Sequence, residues 1–217
     1  LAIENGLVEK RDQYEKILNT DAEVVTGAEN ASRLTGRHNR QVLAPFVHLA
    51  ITAFEETERR LSARKVACLG VPVRSDILRA AVAEGKRPSD SPKTVLVLGG
   101  SQGAHTINCV MVEALPFLAG QSIRVIHQTG ETDFQMVKSA YEKHQIDARV
   151  TKFIDDMAEV YSTADLVISR AGAGTLSELA VAGLPSVLIP FPYAKGHQAK
   201  NAEPFVARGA ALMILEK

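Results

Sequence analysis

The sequence predicts an α/β protein built on a doubly wound parallel β-sheet. From residue 94 onward, short apolar runs rich in β-branched residues alternate with segments of helical length and periodicity. Gly-rich loops follow two of these runs, where a doubly wound sheet has its strand-to-helix turns. The alternation yields six β units, and right-handed crossovers between parallel strands place helices on both faces of the sheet.

The individual elements follow from apolar periodicity. Residues 94–98 are a continuous apolar run, which is typical of a strand buried on both faces. The helix after the second Gly-rich loop carries apolar residues at Leu176 and Leu179 and ends at Gly183. Further strands are predicted at 123–127, 149–154, 166–169, 186–190 and 211–215, and further helices at 104–118, 131–144, 155–161 and about 198–208.

Pro72 marks a predicted domain boundary, because proline does not continue a central strand. We therefore predict two domains, at 1–72 and 73–217. Before this boundary the sequence predicts a helix at 8–18 and three strands, one at 22–25, one that ends at 52 and one at 65–70. After it come a helix at 75–84 and a Gly/Pro/Ser-rich linker at 85–92. Since the chain begins at Leu1 and ends in a predicted strand with nothing to cover it, we expect a fragment.

The composition excludes several functional classes. Lysine plus arginine and aspartate plus glutamate both total 25, so no net charge attracts nucleic acid. Cys68 and Cys109 are far apart in the sequence and do not form a metal-ligand pair. No apolar run approaches the roughly 18–20 residues of a membrane span. We expect no cofactor, no bound metal and no nucleic-acid partner.

The strongest candidate site is the second Gly-rich loop with its helix, residues 169–185. Gly172 and Gly174 open a tight turn that exposes backbone N–H groups at a helix N-terminus, where the positive end of the helix dipole binds phosphate. Glu178 lies one turn into the helix, within reach of a sugar hydroxyl. Thr175 and Glu178 also match a capping box, in which both side chains serve only the helix end. The stretch alone does not decide between these two interpretations.

Other polar residues follow neighbouring strands of the predicted sheet. The Gly-Gly-Ser-Gln-Gly loop at 99–103 lacks the dinucleotide-binding pattern and the Walker lysine, which disfavours NAD enzymes and P-loop NTPases. This loop either offers N–H groups and the Ser101 hydroxyl to a phosphate or is only a tight turn. Arg74 supplies a cation for a diphosphate, and the sequence has no Asp-x-Asp metal motif. Side chains that suit sugar hydroxyls cluster later in the chain, at His197, Gln198 and Asn201.

Four motifs together resemble those of the MurG family of bacterial glycosyltransferases. Their order and spacing over residues 66–217 make the resemblance specific. The motifs are Gly-Gly-Ser-Gln-Gly-Ala-His-x-x-Asn at 99–108, Phe-Ile-Asp-Asp-Met-Ala at 153–158, Ser-Arg-Ala-Gly-Ala-Gly-Thr-x-Ser-Glu-Leu at 169–179 and His-Gln-Ala-Lys-Asn-Ala at 197–202. Val-Pro-Val-Arg74 resembles the Asn-Pro-Val-Arg linker of the family, with Val71 in place of the asparagine.

The resemblance implies the GT-B fold, in which two Rossmann-like domains face each other across a cleft. Residues 73–217 would be the C-terminal domain that binds UDP-GlcNAc, truncated at its C-terminus, and residues 1–72 a remnant of the N-terminal, acceptor-side domain. Binding roles carry over only to the residues that match the motifs. Arg74 and Ser101 would contact the diphosphate, the Ile154 backbone the uracil, Ala173, Gly174, Thr175 and Leu176 the phosphate, Glu178 the ribose and Gln198 the GlcNAc, with Gly103, His197 and Asn201 as further candidates.

The resemblance also implies a function in peptidoglycan synthesis, and with it in cell-wall biogenesis, cell shape and cell division. The enzyme would transfer GlcNAc, with inversion and without a metal in the nucleotide site, from UDP-GlcNAc to the MurNAc of undecaprenyl-pyrophosphoryl-MurNAc-pentapeptide (lipid I), making lipid II. It would be cytoplasmic and peripheral on the inner face of the plasma membrane, with other cell-wall synthesis proteins as candidate partners. The general-base candidate of the family lies in a region without a match here, so we predict no catalytic residue and an inactive chain.

Two other functions stay open at this point. The first is a non-catalytic nucleotide-sugar-binding subunit of a split glycosyltransferase, whose acceptor-binding part is a separate chain. The second is a UDP-GlcNAc epimerase of related fold, which the Ser-Gln-Gly loop at 101–103 fits poorly.

Overall fold

The computed structural model describes residues 50–52, 64–68, 71–82, 92–100, 102–193 and 196–216. The chain divides into two compact units, Leu1–Pro72 and Val73–Lys217. In the first unit, the described strands β1 (Ala50–Thr52) and β2 (Val66–Cys68) pair in parallel. The elements predicted at 8–18 and 22–25, and most of the predicted linker, lie outside the described residues.

The second unit alternates strands and helices, and every strand predicted after residue 92 is present. None of the described helices is long and apolar enough to cross a membrane. The described elements of this unit are α1 (Ser75–Val82), β3 (Lys93–Leu98), α2 (His105–Leu118), β4 (Ile123–Gln128), α3 (Phe134–Lys143), β5 (Ala148–Thr151), α4 (Met157–Thr163), β6 (Leu166–Ser169), α5 (Ala173–Ala182), β7 (Ser186–Leu188), α6 (His197–Ala207) and β8 (Ala211–Met213).

Six strands of this unit form one parallel sheet in the order β5-β4-β3-β6-β7-β8. The chain runs from β3 outward to β4 and β5, crosses back to β6, and then runs outward in the opposite direction. The strand order therefore reverses between β3 and β6, which is the position where open α/β sheets bind ligands. The prediction of a doubly wound parallel sheet is confirmed.

Apolar side chains cover both faces of this sheet. Leu96 of β3 belongs to one buried cluster together with Leu176 of α5, whereas Val97 belongs to a second cluster together with Leu115 of α2. Successive residues of β3 therefore face opposite sides, as the two-residue period of a strand requires. Leu96 and Val97 are both 0% exposed, so the predicted burial of this strand on two faces is confirmed.

The end of β5 differs from its prediction, and the difference matters for the site. The strand ends at Thr151, and in the turn that follows the Thr151 hydroxyl donates a hydrogen bond to the Phe153 carbonyl (2.7 Å). The carboxylate of Asp156 then caps helix α4 by accepting a hydrogen bond from the Glu159 N–H (2.9 Å). Ile154 consequently lies in the loop at the carboxyl end of β5, not within the strand as predicted.

Candidate functional site

The two Gly-rich loops leave the sheet side by side. Leu98 and Ser169 are paired as the last residues of the adjacent strands β3 and β6. Because these strands are parallel, the loops that follow them, and then the N-termini of α2 and α5, lie at the same edge of the sheet. The structure thus brings the two predicted phosphate-binding segments together at the switch point.

Helix α5 begins without a side-chain cap from any described residue. Its N-cap is Gly172, and the Leu176 N–H donates to the Gly172 carbonyl (2.9 Å). The N–H groups of residues 173–175 have no acceptor among the described residues. Of the two interpretations of this stretch, the capping box is therefore wrong, since Thr175 lies inside the helix and Glu178 bonds elsewhere. Three such donors at the positive end of a helix dipole are suited to bind an anion.

Glycine at position 174 is not required by the fold. A Cβ atom on Gly174 would meet nothing within 4 Å. Glycine inside a helix is less stable than alanine by roughly 0.5–1 kcal/mol, so helix formation favours alanine, and the packing leaves room for it. What the bare Cα does provide is unobstructed access to the neighbouring N–H groups.

Glu178 is held by residues outside its own helix. The Tyr161 hydroxyl of α4 donates a hydrogen bond to Oε2 of Glu178 (2.9 Å), and Nε of Arg74 lies 4.0 Å from Oε1. No described residue donates a hydrogen bond to Oε1. The Glu178 side chain is 23% exposed and that of Arg74 is 49% exposed, so both remain accessible to a ligand. The structure therefore places two of the predicted site residues next to each other.

Side chains of α6 fasten the loop that leads into α5. Oε1 of Gln198 accepts hydrogen bonds from the N–H groups of Ala171 (3.1 Å) and Phe191 (2.9 Å), and Nδ2 of Asn201 donates to the Ala171 carbonyl (3.2 Å). Gln198 thus lies beside the switch point, and its amide nitrogen has no acceptor in the described part of the chain. Its two N–H donors are available to a ligand. His197 is exposed at the start of α6 and makes no hydrogen bond with the described residues.

The backbone of Ile154 combines burial with unused hydrogen-bonding groups. The residue is 4% exposed and belongs to the same apolar cluster as Ala171 and Leu176. Within the described ranges, neither its N–H nor its carbonyl has a partner, which is uncommon for a buried residue. One adjacent donor and acceptor complement the edge of a pyrimidine that carries a ring N–H next to a carbonyl.

In the first Gly-rich loop, Gly103 has a clear packing role. Gly103 has φ +78, and a Cβ atom on it would lie 2.1 Å from the Thr129 carbonyl oxygen. Its N–H donates to the Gly100 carbonyl (3.0 Å) and is not available to a ligand. The tight-turn interpretation therefore accounts for Gly103. Ser101 lies outside the described residues, so its contact with a diphosphate stays a prediction.

A buried polar network lies beneath the start of α2. The side-chain oxygen of Asn108 lies 3.0 Å from Nε2 of His127, and Nδ1 of His127 lies 3.2 Å from the Tyr141 hydroxyl. The Asn108 amide nitrogen donates to the Thr129 carbonyl (2.9 Å) and to the Asp133 carboxylate (2.8 Å). Burial lowers the pKa of His127 to about 4, so the ring is neutral, with Nε2 donating. His127 therefore has a structural role in this network.

Arg170 lies in the same motif as the candidate site but has a structural role, which no sequence pattern indicated. Its guanidinium donates to the carbonyls of Ile189 (3.1 Å) and Pro190 (3.4 Å) and forms an ion pair with Glu216. The ring of Phe191 lies 5.4 Å from the guanidinium carbon. The Arg170 side chain is only 12% exposed. Its hydrogen bonds connect the loop after β7 to the switch point.

A doubly wound sheet with Gly-rich loops at its switch point is the architecture of the C-terminal domain of GT-B glycosyltransferases. The comparison with known families agrees: the family described as "Glycosyltransferase family 28 C-terminal domain" matches residues 94–217. The chain therefore belongs to glycosyltransferase family 28, and the predicted GT-B fold is confirmed.

Curated relatives show which members of this family the chain is similar to. A protein of Anaeromyxobacter sp. (strain K) is 43% identical over 199 residues, which are 89% of this chain and 51% of the relative. A protein of Syntrophus aciditrophicus (strain SB) is 41% identical over 200 residues, 89% of this chain and 54% of the relative. Both are named UDP-N-acetylglucosamine--N-acetylmuramyl-(pentapeptide) pyrophosphoryl-undecaprenol N-acetylglucosamine transferase. The chain spans about half the length of these relatives.

A solved structure points to the same family as the curated relatives. The crystal structure of Acinetobacter baumannii MurG matches with a TM-score of 0.61 at 27% identity, covering 98% of this chain and 64% of that one. The resemblance to the MurG family seen in the four motifs is thereby confirmed.

Proposed function

We propose that this chain forms the donor side of a GlcNAc transfer in peptidoglycan synthesis. It binds UDP-GlcNAc at the switch point, and the GlcNAc passes with inversion to the MurNAc of undecaprenyl-pyrophosphoryl-MurNAc-pentapeptide. The observation that carries the proposal is the uncapped N-terminus of α5 with Glu178 and Arg74 beside it. The shared name of the curated relatives supplies the reaction and favours a transferase over a non-catalytic subunit or an epimerase.

The positive end of α5 has a chemical role in this reaction as well as a binding role. In the transfer, the bond between C1 of GlcNAc and the β-phosphate oxygen breaks, C1 bonds to the acceptor C4 oxygen, and the proton of that hydroxyl passes to a general base that is not assigned among the residues of this chain. The departing UDP gains a negative charge on its β-phosphate. The N–H groups of residues 173–175 and the Arg74 guanidinium stabilise that charge as it develops. Because the protein itself supplies this positive charge, we propose a nucleotide site without a metal ion.

The remaining parts of the donor each have a proposed partner. The N–H and carbonyl of Ile154, which have no partner among the described residues, complement the N3–H and O4 edge of uracil. Oε1 of Glu178 accepts hydrogen bonds from the ribose hydroxyls. The amide N–H groups of Gln198, which have no acceptor in the described part of the chain, donate to GlcNAc hydroxyls. Ser101, Asn201 and His197 are proposed as further contacts.

The proposed acceptor defines where the reaction takes place. An undecaprenyl chain is a long hydrocarbon that stays in the bilayer, while UDP-GlcNAc is a water-soluble donor. We therefore propose that the protein works on the cytoplasmic side, peripheral on the inner face of the plasma membrane.

Calorimetric titration of this chain tests the proposed donor site. UDP is titrated into the wild-type chain, into Glu178→Ala and into Glu142→Ala, which removes a carboxylate from α3 as a matched control. A hydrogen bond to a charged group is worth about 1.5–3 kcal/mol, so Glu178→Ala should bind UDP at least about 10-fold more weakly and the control should not. CDP has an amino group where uracil has a carbonyl, and it should also bind more weakly than UDP. Equal UDP affinity in all three chains would exclude the ribose contact.

A further inference from the structure

Tyr161 is a core residue that reaches the proposed site with a single atom. The residue is 4% exposed, and its ring belongs to the apolar cluster that contains Leu176 and Leu179. Its hydroxyl donates a 2.9 Å hydrogen bond to Oε2 of Glu178. A buried tyrosine requires a partner for its hydroxyl, and in this fold the partner is the carboxylate proposed to bind the ribose.

The hydrogen bond has a fixed direction. Burial, followed by the charge of Glu178 and the hydrogen bond to it, raises the pKa of Tyr161 above its ordinary value, and Arg74 opposes this only in part. The phenol therefore stays protonated and donates. Oε2 of Glu178 is occupied by this bond, whereas Oε1 remains without a donor among the described residues.

We propose that Tyr161 is the positioning residue for nucleotide recognition: it holds Oε2 of Glu178 so that Oε1 faces the ribose. The inference rests on the ribose contact of the proposed function. An untethered glutamate on a helix samples several rotamers, and ordering it on binding weakens the complex. The bond to Tyr161 orders the carboxylate before the nucleotide arrives. Preference for a nucleotide with ribose hydroxyls should then depend on Tyr161.

Arg74 does not replace Tyr161 in this role. Its Nε lies 4.0 Å from Glu178 Oε1, which is too long for a hydrogen bond, and an equal 4.0 Å from a carboxylate oxygen of Asp76. The Arg74 side chain is also 49% exposed, so solvent screens its attraction. The only hydrogen bond to the Glu178 carboxylate within the described residues is the one from Tyr161.

Two ligands and two tyrosine variants test the inference by calorimetry. The ligands are UDP and 2′,3′-dideoxy-UDP, which lacks the ribose hydroxyls. Tyr161→Phe removes the hydroxyl and keeps the ring. Tyr141→Phe is the matched control, because Tyr141 is also buried (2% exposed) but bonds to His127. Thermal unfolding of each variant confirms that it is folded.

Wild-type protein and Tyr141→Phe should prefer UDP over the dideoxy nucleotide by about 10-fold or more. Tyr161→Phe should bind the dideoxy nucleotide as well as wild type does and lose about 5- to 10-fold in UDP affinity. An undiminished preference in Tyr161→Phe would overturn the positioning role and leave the proposed function intact. Equal losses for both ligands would also overturn it, since they indicate a purely structural role. If wild type itself shows no preference, the ribose contact of Glu178 fails, and this inference fails with it.

Discussion

Replacement of Gly174 by alanine should change folding stability and nucleotide affinity in opposite directions. The residue lies in the first turn of α5, and a Cβ atom there would contact nothing within 4 Å. Alanine should therefore raise the free energy of unfolding by up to about 0.5–1 kcal/mol, which is the difference between the two residues in a helix interior. The same methyl group would obstruct the proposed diphosphate. Loss of one charge-assisted hydrogen bond, about 1.5–3 kcal/mol, lowers UDP affinity roughly 10- to 150-fold.

Urea unfolding followed by circular dichroism measures the stability, and calorimetric titration measures the UDP affinity. Ser177→Ala is the matched control in the same helix. The Ser177 hydroxyl bonds back to the Ala173 carbonyl (3.0 Å), and alanine there favours the helix without adding an atom at its N-terminus. The control should gain stability and keep its affinity. If Gly174→Ala binds UDP as wild type does, the anion site at the start of α5 is refuted.

Two further predictions concern titration and charge. Burial lowers the pKa of His127 to about 4, below the value of about 6.5 in an unfolded chain. Neutral His127 therefore makes its full contribution to the free energy of unfolding above about pH 6.5, and about 2–3 kcal/mol of this free energy is lost by pH 4.5. Urea unfolding at both pH values should show a smaller acid loss in His127→Gln than in wild type, and equal losses would contradict the lowered pKa of His127. Arg74→Gln should weaken UDP binding by up to about 10-fold, because the side chain is half exposed, and leave binding of uridine unchanged; a matching loss for uridine would exclude a role in holding the diphosphate.

The sheet was predictable because its signals are local. An apolar run such as 94–98 identifies a strand, and the spacing of Leu176 and Leu179 identifies a helix, each without information from the rest of the chain. The right-handed crossover rule then converts their alternation into a doubly wound sheet. The same logic placed both Gly-rich loops after strands, and the structure shows these strands to be adjacent.

The contacts of the candidate site were less predictable because they join distant parts of the chain. Nothing in the sequence links Tyr161 to Glu178. The two residues come into contact only because α4 packs near α5. The capping-box interpretation is wrong for a related reason. A Thr-x-x-Glu pattern shows which residues are able to cap, but the N-cap is Gly172 and the helix begins before Thr175. The turn in which the Thr151 hydroxyl bonds to the Phe153 carbonyl, and after which Ile154 lies outside the strand, likewise has no periodic signal in the sequence.

Amide chemical-shift mapping tests the central claim, that UDP binds at the start of α5, most directly. UDP is titrated into ¹⁵N-labelled chain, and the shift of each backbone amide is followed. The largest changes should fall on residues 173–175 and on Ile154, and inorganic phosphate alone should move residues 173–175 but not Ile154. Changes confined to another part of the chain, with residues 173–175 unmoved at saturation, would contradict the account.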